Sequence, residues 1–398
     1  MSAFFILGNH PELAAEELAT VLGVEKEAFE VQSQDVVIVD EGDRWTLAQL
    51  QERLGGVIKS GRIVALAKDQ DEALAVCLAH MLTETRSDAR RVFGLSVYSA
   101  GHRGRLVMWR AGLEKFGMRL KRSLQEHGSV RYVTASRIPV LSSVVVKKQG
   151  LIGDGVEFCL FPLEDRVLIG VTETVQDFEQ WGARDYGRPS RDAVRGMLPP
   201  KLARMMVNLS RGEPSTHTLL DPYCGVGTIL SEAAEIGYRK LVGSDKDVSA
   251  VEATRENLAF LSSARGSDID AQLIHAKAES LATFLAPRSV DRIVTEVHLG
   301  PPRDGSESRV ELEMRMDKLV PMYTEGFRAF SHILSTNATL VMAFPAYPVD
   351  GSTVEAPITQ RASLFGLHIS GGPWRYGRES QLVFRDIYRF SHDPAAVS

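Results

Sequence analysis

Apolar positions along the second half of the chain alternate between two periods. Short apolar runs are followed by longer segments whose apolar residues recur at helical spacing, beginning near Leu219. The strands predicted here are 219–220, 241–244, 272–275, 292–295 and 339–344. The helices predicted between them include 228–236, 250–261 and 318–333. This alternation is typical of a doubly wound α/β sheet. A last strand, 381–390, is expected to be the antiparallel strand of a C-terminal hairpin.

The first part of the chain has a different pattern, which predicts two smaller α+β units. In the first unit, strands are expected at 4–7, 36–39 and 57–67, and helices at 11–22 and 47–54. In the second unit, helices are expected at 72–84 and 110–126, and strands at 92–99, 131–135, 143–148, 156–162 and 166–172. Helix 110–126 is amphipathic, with Leu113, Phe116, Leu120 and Leu124 on its apolar side. A turn-rich joint is expected at 184–189. The domains predicted are therefore 1–70, 71–180 and 181–398.

One predicted strand ends in an acid that a glycine-rich turn and a helix follow. The segment is Asp221-Pro222-Tyr223-Cys224-Gly225-Val226-Gly227-Thr228, and the next predicted strand ends in Asp245. An acid at that second position can accept hydrogen bonds from both hydroxyls of a ribose. The two acids and the turn predict S-adenosylmethionine binding rather than a dinucleotide site, whose fingerprint is Gly-x-Gly-x-x-Gly. The alternative is that Asp221 only caps a turn. The cofactor-binding residues expected in this region are Asp221, Tyr223, Gly225, Gly227, Thr228 and Asp245.

Charge is distributed unevenly along the 398 residues. The formal net charge is −5, yet residues 101–150 contain eleven Lys or Arg and only two acids, Glu114 and Glu126. A local basic block in an acidic protein predicts a docking surface for a polyanion, and the alternative is a solvated helix face. The candidate polyanion-binding residues are Arg119, Lys121, Arg122, Lys147 and Lys148, together with Arg188 of the joint. Arg188 could equally form a salt bridge between domains.

The remaining composition narrows the class of protein. No apolar stretch approaches the ~18 residues that a membrane span needs, and the run at residues 4–7 is too short for a signal peptide. Cys77, Cys159 and Cys224 are too widely spaced for a metal cluster or a disulfide framework. We therefore expect a cytoplasmic protein with no metal site.

The order of these motifs resembles the THUMP-domain tRNA guanine-N2 methyltransferases, whose eukaryotic and archaeal members modify guanosine ten of tRNA. The resemblance extends over the whole chain and rests on residues 4–8, 11–18, 141–144, 172–178, 184–189, 196–203 and 221–228. It implies a C-terminal Rossmann-like class I methyltransferase sheet. It also implies an N-terminal α+β region, ferredoxin-like at 1–70 and THUMP at 71–180, that binds RNA. The implied partner is tRNA, and a small activator subunit is also possible.

Two departures from the family pattern concern the catalytic and adenine-binding positions. The family carries Asp-Pro-Pro-Tyr-Gly after its fourth strand, where this chain has Glu296-Val297-His298-Leu299-Gly300. Glu296 takes the place of the catalytic Asp, and His298, next to the aromatic position, could stack on the base. The family's adenine-contacting acid falls on Lys277 or Ala278, with Glu279 nearby. The alternatives are a surface acid at Glu296 and a structural role for His298.

The chemistry implied is methyl transfer to an exocyclic amine of guanine. A carboxylate and a carbonyl that accept the two amine N–H groups would localise the nitrogen lone pair and remove the proton. The principal hypothesis is formation of N2-methylguanosine in tRNA. The second is an RNA-binding protein with a degenerate, non-catalytic methyltransferase domain. The third is an amino-methyltransferase that acts on ribosomal RNA or DNA, although a THUMP-like module favours RNA.

Overall fold

Two sheets organise the chain, one in each of the units Met1–Phe178 and Glu179–Ser398. The computed structural model describes residues 2–40, 42, 44–84, 90–135, 138–191, 197–266 and 268–393. Among these residues no helix is long and apolar enough to cross a membrane.

The first unit combines antiparallel and parallel strands with helices. Its strands are β1 (Ala3–Leu7), β2 (Val31–Gln32), β3 (Val36–Val39), β4 (Val57–Ala67), β5 (Arg91–Val97), β6 (Val130–Val133), β7 (Val156–Pro162) and β8 (Val167–Val175). Its helices are α1 (Pro11–Leu22), α2 (Leu47–Arg53), α3 (Gln70–Glu84), α4 (Arg103–Gln125), α5 (Ser143–Lys148) and a 3₁₀ turn at Lys26–Ala28. The strand order is β2-β3-β1-β4-β8-β7-β5-β6. Strand β4 pairs with both β1 and β8, so residues from 1–70 and from 71–180 share one sheet. The division into domains at residue 70 stays a prediction.

The second unit has the alternating pattern that the sequence predicts. Its strands are β9 (Thr218–Asp221), β10 (Lys240–Asp245), β11 (Ala271–His275), β12 (Val290–Glu296), β13 (Leu334–Val349), β14 (Ser352–Glu355), β15 (Leu367–Tyr376) and β16 (Phe384–His392). Its helices are α6 (Phe178–Tyr186), α7 (Pro200–Leu209), α8 (Thr228–Glu235), α9 (Val248–Arg265), α10 (Arg309–Ile333), α11 (Ile358–Ser363) and a 3₁₀ helix at Ala278–Thr283.

The strand order of the second sheet is β11-β10-β9-β12-β13-β16-β15. Neighbours from β11 to β13 are parallel, whereas β16 is antiparallel to both β13 and β15. The expected C-terminal antiparallel hairpin is therefore confirmed. The core of this unit includes Leu220, Ile293 and Leu340 from the strands and Phe327 and Phe330 from α10, all fully buried.

Two helical segments, α5 and α6, occupy positions where the sequence predicts other structure. The predicted strand at 143–148 is wrong, because these residues form helix α5. The Ser142 side chain accepts a hydrogen bond from the amide of Val145 at 3.3 Å, and Lys147 and Lys148 lie in the last turn, where cations stabilise a helix. The joint at 184–189 is also partly wrong, because α6 continues to Tyr186. The alternation of residues 143–148 predicts a strand, but local capping of the helix prevails over that pattern.

Candidate active site

Three carboxylates lie at the same edge of the second sheet. Asp221, Asp245 and Glu296 are the last residues of β9, β10 and β12, and β9 lies between the other two strands. Chain order reverses at β9, so this edge is the topological switch point, where α/β sheets bind ligands. All three acids line a cavity of about 1280 Å³. The other predicted site residues that line it are Tyr223, Gly225, Thr228, Ala278 and His298.

The glycine turn between β9 and α8 has a backbone that requires glycine. Gly225 has φ +53° and Gly227 has φ +80°, both in the left-handed region. A Cβ atom on Gly227 would also lie 2.8 Å from the Cγ2 atom of Thr254. Helix α9 supports the turn from behind, because the side-chain amide of Asn257 donates to the carbonyl of Val226 at 2.8 Å. The turn therefore holds its amides in a fixed arrangement at the cavity wall.

Asp221 is buried within this arrangement. Its Oδ1 atom accepts hydrogen bonds from the Thr295 hydroxyl at 2.6 Å and from the Tyr223 amide at 3.2 Å. Burial raises the pKa of Asp221 to about 7, and the neighbouring carboxylates of Asp245 and Glu296 add to this effect. The two hydrogen bonds oppose the shift without cancelling it. Asp221 therefore titrates near neutral pH.

Asp245 is more accessible and is held from two sides. Its Oδ2 atom accepts the amide of Gly225 at 3.1 Å, and its Oδ1 atom accepts the amide of Asp247 at 3.0 Å. A carboxylate oxygen can accept more than one hydrogen bond, so both oxygens retain acceptor capacity. The side chain is thus fixed in orientation and still able to accept two hydroxyl groups.

Glu296 forms an ion pair that the sequence did not predict. The Nε atom of Arg385, on β16, donates to Oε1 of Glu296, and Arg385 lines the same cavity. The Glu296 side chain is only 19% exposed and the Arg385 side chain only 12%. Arg385 is one of two arginines within the predicted strand 381–390, where a cation among alternating residues resembles a surface position. No local signal in the sequence links it to Glu296.

The position predicted to contact adenine lies just beyond β11. Ala278 is buried at the start of the 3₁₀ helix, and its neighbours Lys277 and Glu279 also line the cavity. The Nζ atom of Lys277 lies 3.7 Å from Oε1 of Glu279. This wall therefore combines an apolar residue with an exposed ion pair.

The predicted RNA-binding residues of the first unit lie mostly on α4. The apolar residues predicted for this helix are buried, as expected, while Arg122 is exposed and Lys121 partly so. Arg119 forms an ion pair with Asp71 at 2.5 Å. On α5, Lys147 lies 3.4 Å from Asp177 and Lys148 is exposed. Arg137, also counted in the basic block, lies outside the described residues.

Arg188 occupies a different environment, in the second unit. Its Nη1 atom donates a 2.6 Å hydrogen bond to the hydroxyl of Thr228, the first residue of α8. Burial lowers the pKa of Arg188. The side chain therefore contacts a residue of the cavity wall.

Residues 188–349 match UPF0020, the RMKL-like methyltransferase domain family. The tRNA (guanine(10)-N2)-dimethyltransferase of Methanothermobacter thermautotrophicus is 36% identical over 165 residues, which are 42% of this chain and 43% of that protein. The enzyme of the same name from Methanocaldococcus jannaschii is 42% identical over 80 residues, 19% of this chain and 22% of that protein. The chain thus matches less than half of the length of these two relatives.

Among solved structures, TrmN from Thermus thermophilus is similar along the whole chain. The TM-score is 0.54 at 16% sequence identity, with 99% of this chain and 100% of that chain covered. An identity this low bears on the fold alone. The comparisons confirm the expected resemblance to tRNA guanine-N2 methyltransferases and the Rossmann-like methyltransferase fold, while the THUMP domain stays a prediction.

Proposed function

We propose that this chain, whose residues 188–349 form an RMKL-like methyltransferase domain, is an S-adenosylmethionine-dependent RNA methyltransferase that forms N2-methylguanosine in tRNA. One observation carries the proposal. Three carboxylates end adjacent parallel strands and line a single cavity beside a glycine turn. The bound cofactor would supply a methyl group already activated by a sulfonium.

The donor and acceptor groups of the cavity fit this cofactor. Asp245 is oriented by two backbone amides and can accept the hydroxyls of a ribose. Asp221 and the turn at Gly225 and Gly227 present a carboxylate and backbone amides suited to an amino acid group. A cavity of about 1280 Å³ exceeds the ~300–1,000 Å³ of ordinary ligand sites, so it has room for a cofactor and a nucleobase.

Glu296 is the proposed catalytic carboxylate. It ends β12 on the opposite side of β9 from Asp245, so the proposed ribose-binding and proton-accepting groups flank Asp221. A carboxylate that accepts the amine N–H groups orients the nitrogen lone pair and takes up the proton as the new bond forms. Because the methyl group is already activated, the protein contributes mainly orientation and charge placement. His298, which lines the cavity two residues later, is the proposed stacking partner of the base.

The RNA substrate is proposed from the first unit and from the relatives. Both relatives are named as tRNA enzymes. The basic side chains proposed to contact phosphates are Arg119, Lys121, Arg122, Lys147 and Lys148. We propose residues 1–70 and 71–180 as the ferredoxin-like and THUMP domains of this RNA-binding region, and the cytoplasm as its location.

The test is transfer of a radiolabelled methyl group to undermodified total RNA, followed by nucleoside analysis of the tRNA and ribosomal RNA fractions. We expect label in N2-methylguanosine or N2,N2-dimethylguanosine, and at limiting cofactor much less label with Asp245→Ala. Label in adenosine, or only in ribosomal RNA, would contradict the proposed substrate. Tight RNA binding with no transfer to any cellular RNA would instead indicate an RNA-binding protein with a non-catalytic domain.

A further inference from the structure

The loop that carries Glu296 lacks the two prolines of the motif that it resembles, yet it is held at three points. We propose that Arg385, Tyr323 and Tyr347 are positioning residues that together replace the prolines and fix residues 296–300 for methyl transfer. This inference rests on the proposed function. We call the three residues the loop clamp.

The first contact fixes the carboxylate. Glu296 pairs in register with Ala343 on β13, and Arg385 on β16 pairs with Pro345, two residues further along β13. Residues two apart on a strand point to the same face, so Arg385 and Glu296 lie on one face with β13 between them. Ala343 has only a methyl side chain, which leaves space for the guanidinium to reach Glu296. Because the pair is largely removed from water, the charge of Arg385 restrains the carboxylate more strongly than a surface pair would.

The other two contacts fix the main chain. The hydroxyl of Tyr323, on α10, donates to the carbonyl of His298 at 2.7 Å. The hydroxyl of Tyr347, on β13, donates to the carbonyl of Leu299 at 2.6 Å. Burial raises the pKa of both tyrosines, so both hydroxyls remain protonated donors. Two consecutive carbonyls are therefore held from two different elements.

Gly300 shows how closely the loop approaches Tyr347. It has φ +89°, and a Cβ atom at this position would lie 2.5 Å from the Tyr347 hydroxyl. Only glycine allows both the left-handed backbone and this approach. A proline restricts one backbone torsion of its own residue. The loop clamp instead restrains the loop relative to α10, β13 and β16. The ion pair with Arg385 also fixes how far the longer Glu296 side chain extends from the backbone.

The experiment measures single-turnover methyl transfer at saturating cofactor and tRNA for Arg385→Met, Arg385→Lys and Tyr347→Phe. Arg378→Met and Tyr388→Phe are matched controls, because Arg378 is exposed and the Tyr388 ring packs against Phe344 and Phe390. Displacement of a reacting group by about 1 Å costs on the order of 100-fold. We expect Arg385→Met to lower the rate at least tenfold, with cofactor and tRNA affinities changed less than twofold. Arg385→Lys should recover part of the loss, and the controls should retain the wild-type rate.

Combination with Glu296→Gln tests whether Arg385 acts through Glu296. In that background Arg385→Met should cause no further loss of rate. A full additional loss would overturn the proposal, because Arg385 would then act on its own. A wild-type rate in Arg385→Met would overturn it as well.

Amide hydrogen exchange of residues 297–300 tests the loop clamp without any substrate. We expect exchange at least tenfold faster in Arg385→Met and in Tyr347→Phe, and unchanged exchange would overturn the loop clamp. A wild-type protein that methylates no RNA would instead overturn the proposed function and the catalytic purpose of the loop clamp. The two failures are therefore distinguished by separate measurements.

Discussion

The hydroxyl of Thr295 donates a 2.6 Å hydrogen bond to the carboxylate of Asp221 and joins the ends of strands β12 and β9. Both residues are fully buried or nearly so, and Thr295 immediately precedes Glu296. The strand that carries the proposed catalytic acid is thus tied directly to the strand that carries the glycine turn. The same contact lowers the pKa of Asp221 but does not cancel the rise, because burial has the larger effect on that pKa.

The raised pKa of Asp221 predicts a pH-dependent stability. In the unfolded chain the carboxyl ionises near pH 3.8, whereas in the folded protein it holds its proton up to about pH 7. The folded state therefore binds more protons between these values, and its free energy of unfolding should fall as pH rises through this range. The contribution of this group is at most about 4 kcal/mol and should be lost above about pH 7. Urea denaturation of wild type and Asp221→Asn between pH 4 and 8 checks this. If the free energy of unfolding changed with pH in the same way for both proteins, the prediction would be wrong.

Asp245 should be essential for cofactor affinity. Asp245→Ala removes two proposed hydroxyl contacts at about 1.5 kcal/mol each and also releases the Gly225 amide. We expect S-adenosylmethionine affinity to fall at least tenfold by calorimetry. Asp247→Ala is the matched control, because Asp247 lies in the same turn but caps α9 instead of lining the cavity. Unchanged affinity in a folded Asp245→Ala protein would remove Asp245 from the site.

The sequence predicted the second sheet well because its strands are short apolar runs between amphipathic helices. Parallel strands bring their carboxyl ends to one edge, so the meeting of Asp221, Asp245 and Glu296 could be expected from strand endings alone. Helix starts were less accurate. Helix α4 begins at Arg103, seven residues before its predicted start, because His102 caps it through a 3.2 Å hydrogen bond from the Arg105 amide.

Contacts between distant segments could not be predicted in this way. Arg385 lies 89 positions after Glu296 in the chain and pairs with it from strand β16. The hydroxyls of Tyr323 and Tyr347 donate hydrogen bonds to backbone carbonyl groups. Carbonyl acceptors are present at every residue, so no sequence pattern marks the ones that these tyrosines contact. Such contacts depend on strand register and helix position, which are properties of the folded chain.

A buried ion pair in the first unit should contribute strongly to its integrity. The Lys59 ammonium donates to Glu157 at 2.6 Å and to the carbonyl of Leu141, and Glu157 also accepts the hydroxyls of Ser96 and Thr172. Both charged side chains are at most 1% exposed. Lys59→Met should lower the free energy of unfolding by about 3–5 kcal/mol, because it leaves a buried carboxylate without its cation.

The control for this prediction is Arg62→Met on the same strand, which breaks a solvent-exposed pair with Glu173 and should cost less than about 1 kcal/mol. Adding Glu157→Gln to Lys59→Met should restore part of the lost stability, since no buried charge then remains. Chemical denaturation of the four proteins provides the comparison. If Lys59→Met and Arg62→Met lowered the free energy of unfolding equally, burial of the Lys59–Glu157 pair would add nothing to stability.

Binding of tRNA should depend on the exposed cations of α4. Reversal of Lys121 and Arg122 to Glu replaces attraction to phosphates with repulsion, so tRNA affinity should fall at least tenfold and its salt dependence should become shallower. Reversal of Arg239 and Lys240, an exposed pair in the second unit, makes the same charge change elsewhere and is the matched control. Binding curves at several salt concentrations measure both effects. If the control weakens binding as much as the test variant, net charge rather than a docking surface is responsible.

Glu296→Gln tests the proposed catalytic carboxylate directly. The substitution preserves size and removes the charge, so the side chain can no longer take up the amine proton, and we expect methyl transfer to fall at least 100-fold. The structure adds a second consequence, because the largely buried guanidinium of Arg385 then loses its ion-pair partner. Removal of one partner from such a pair destabilises the fold, so thermal unfolding must be measured beside activity.

Glu296→Gln with Arg385→Met removes both charges and should regain stability without regaining transfer. Cofactor and tRNA affinities should remain close to wild type in both variants, since the proposed ribose contact is Asp245 and the proposed phosphate contacts lie in the first unit. Transfer at the wild-type rate by a stable Glu296→Gln protein would exclude the catalytic role of Glu296. Restored transfer in the double variant would show that the unpaired arginine, rather than the missing carboxylate, had blocked the reaction.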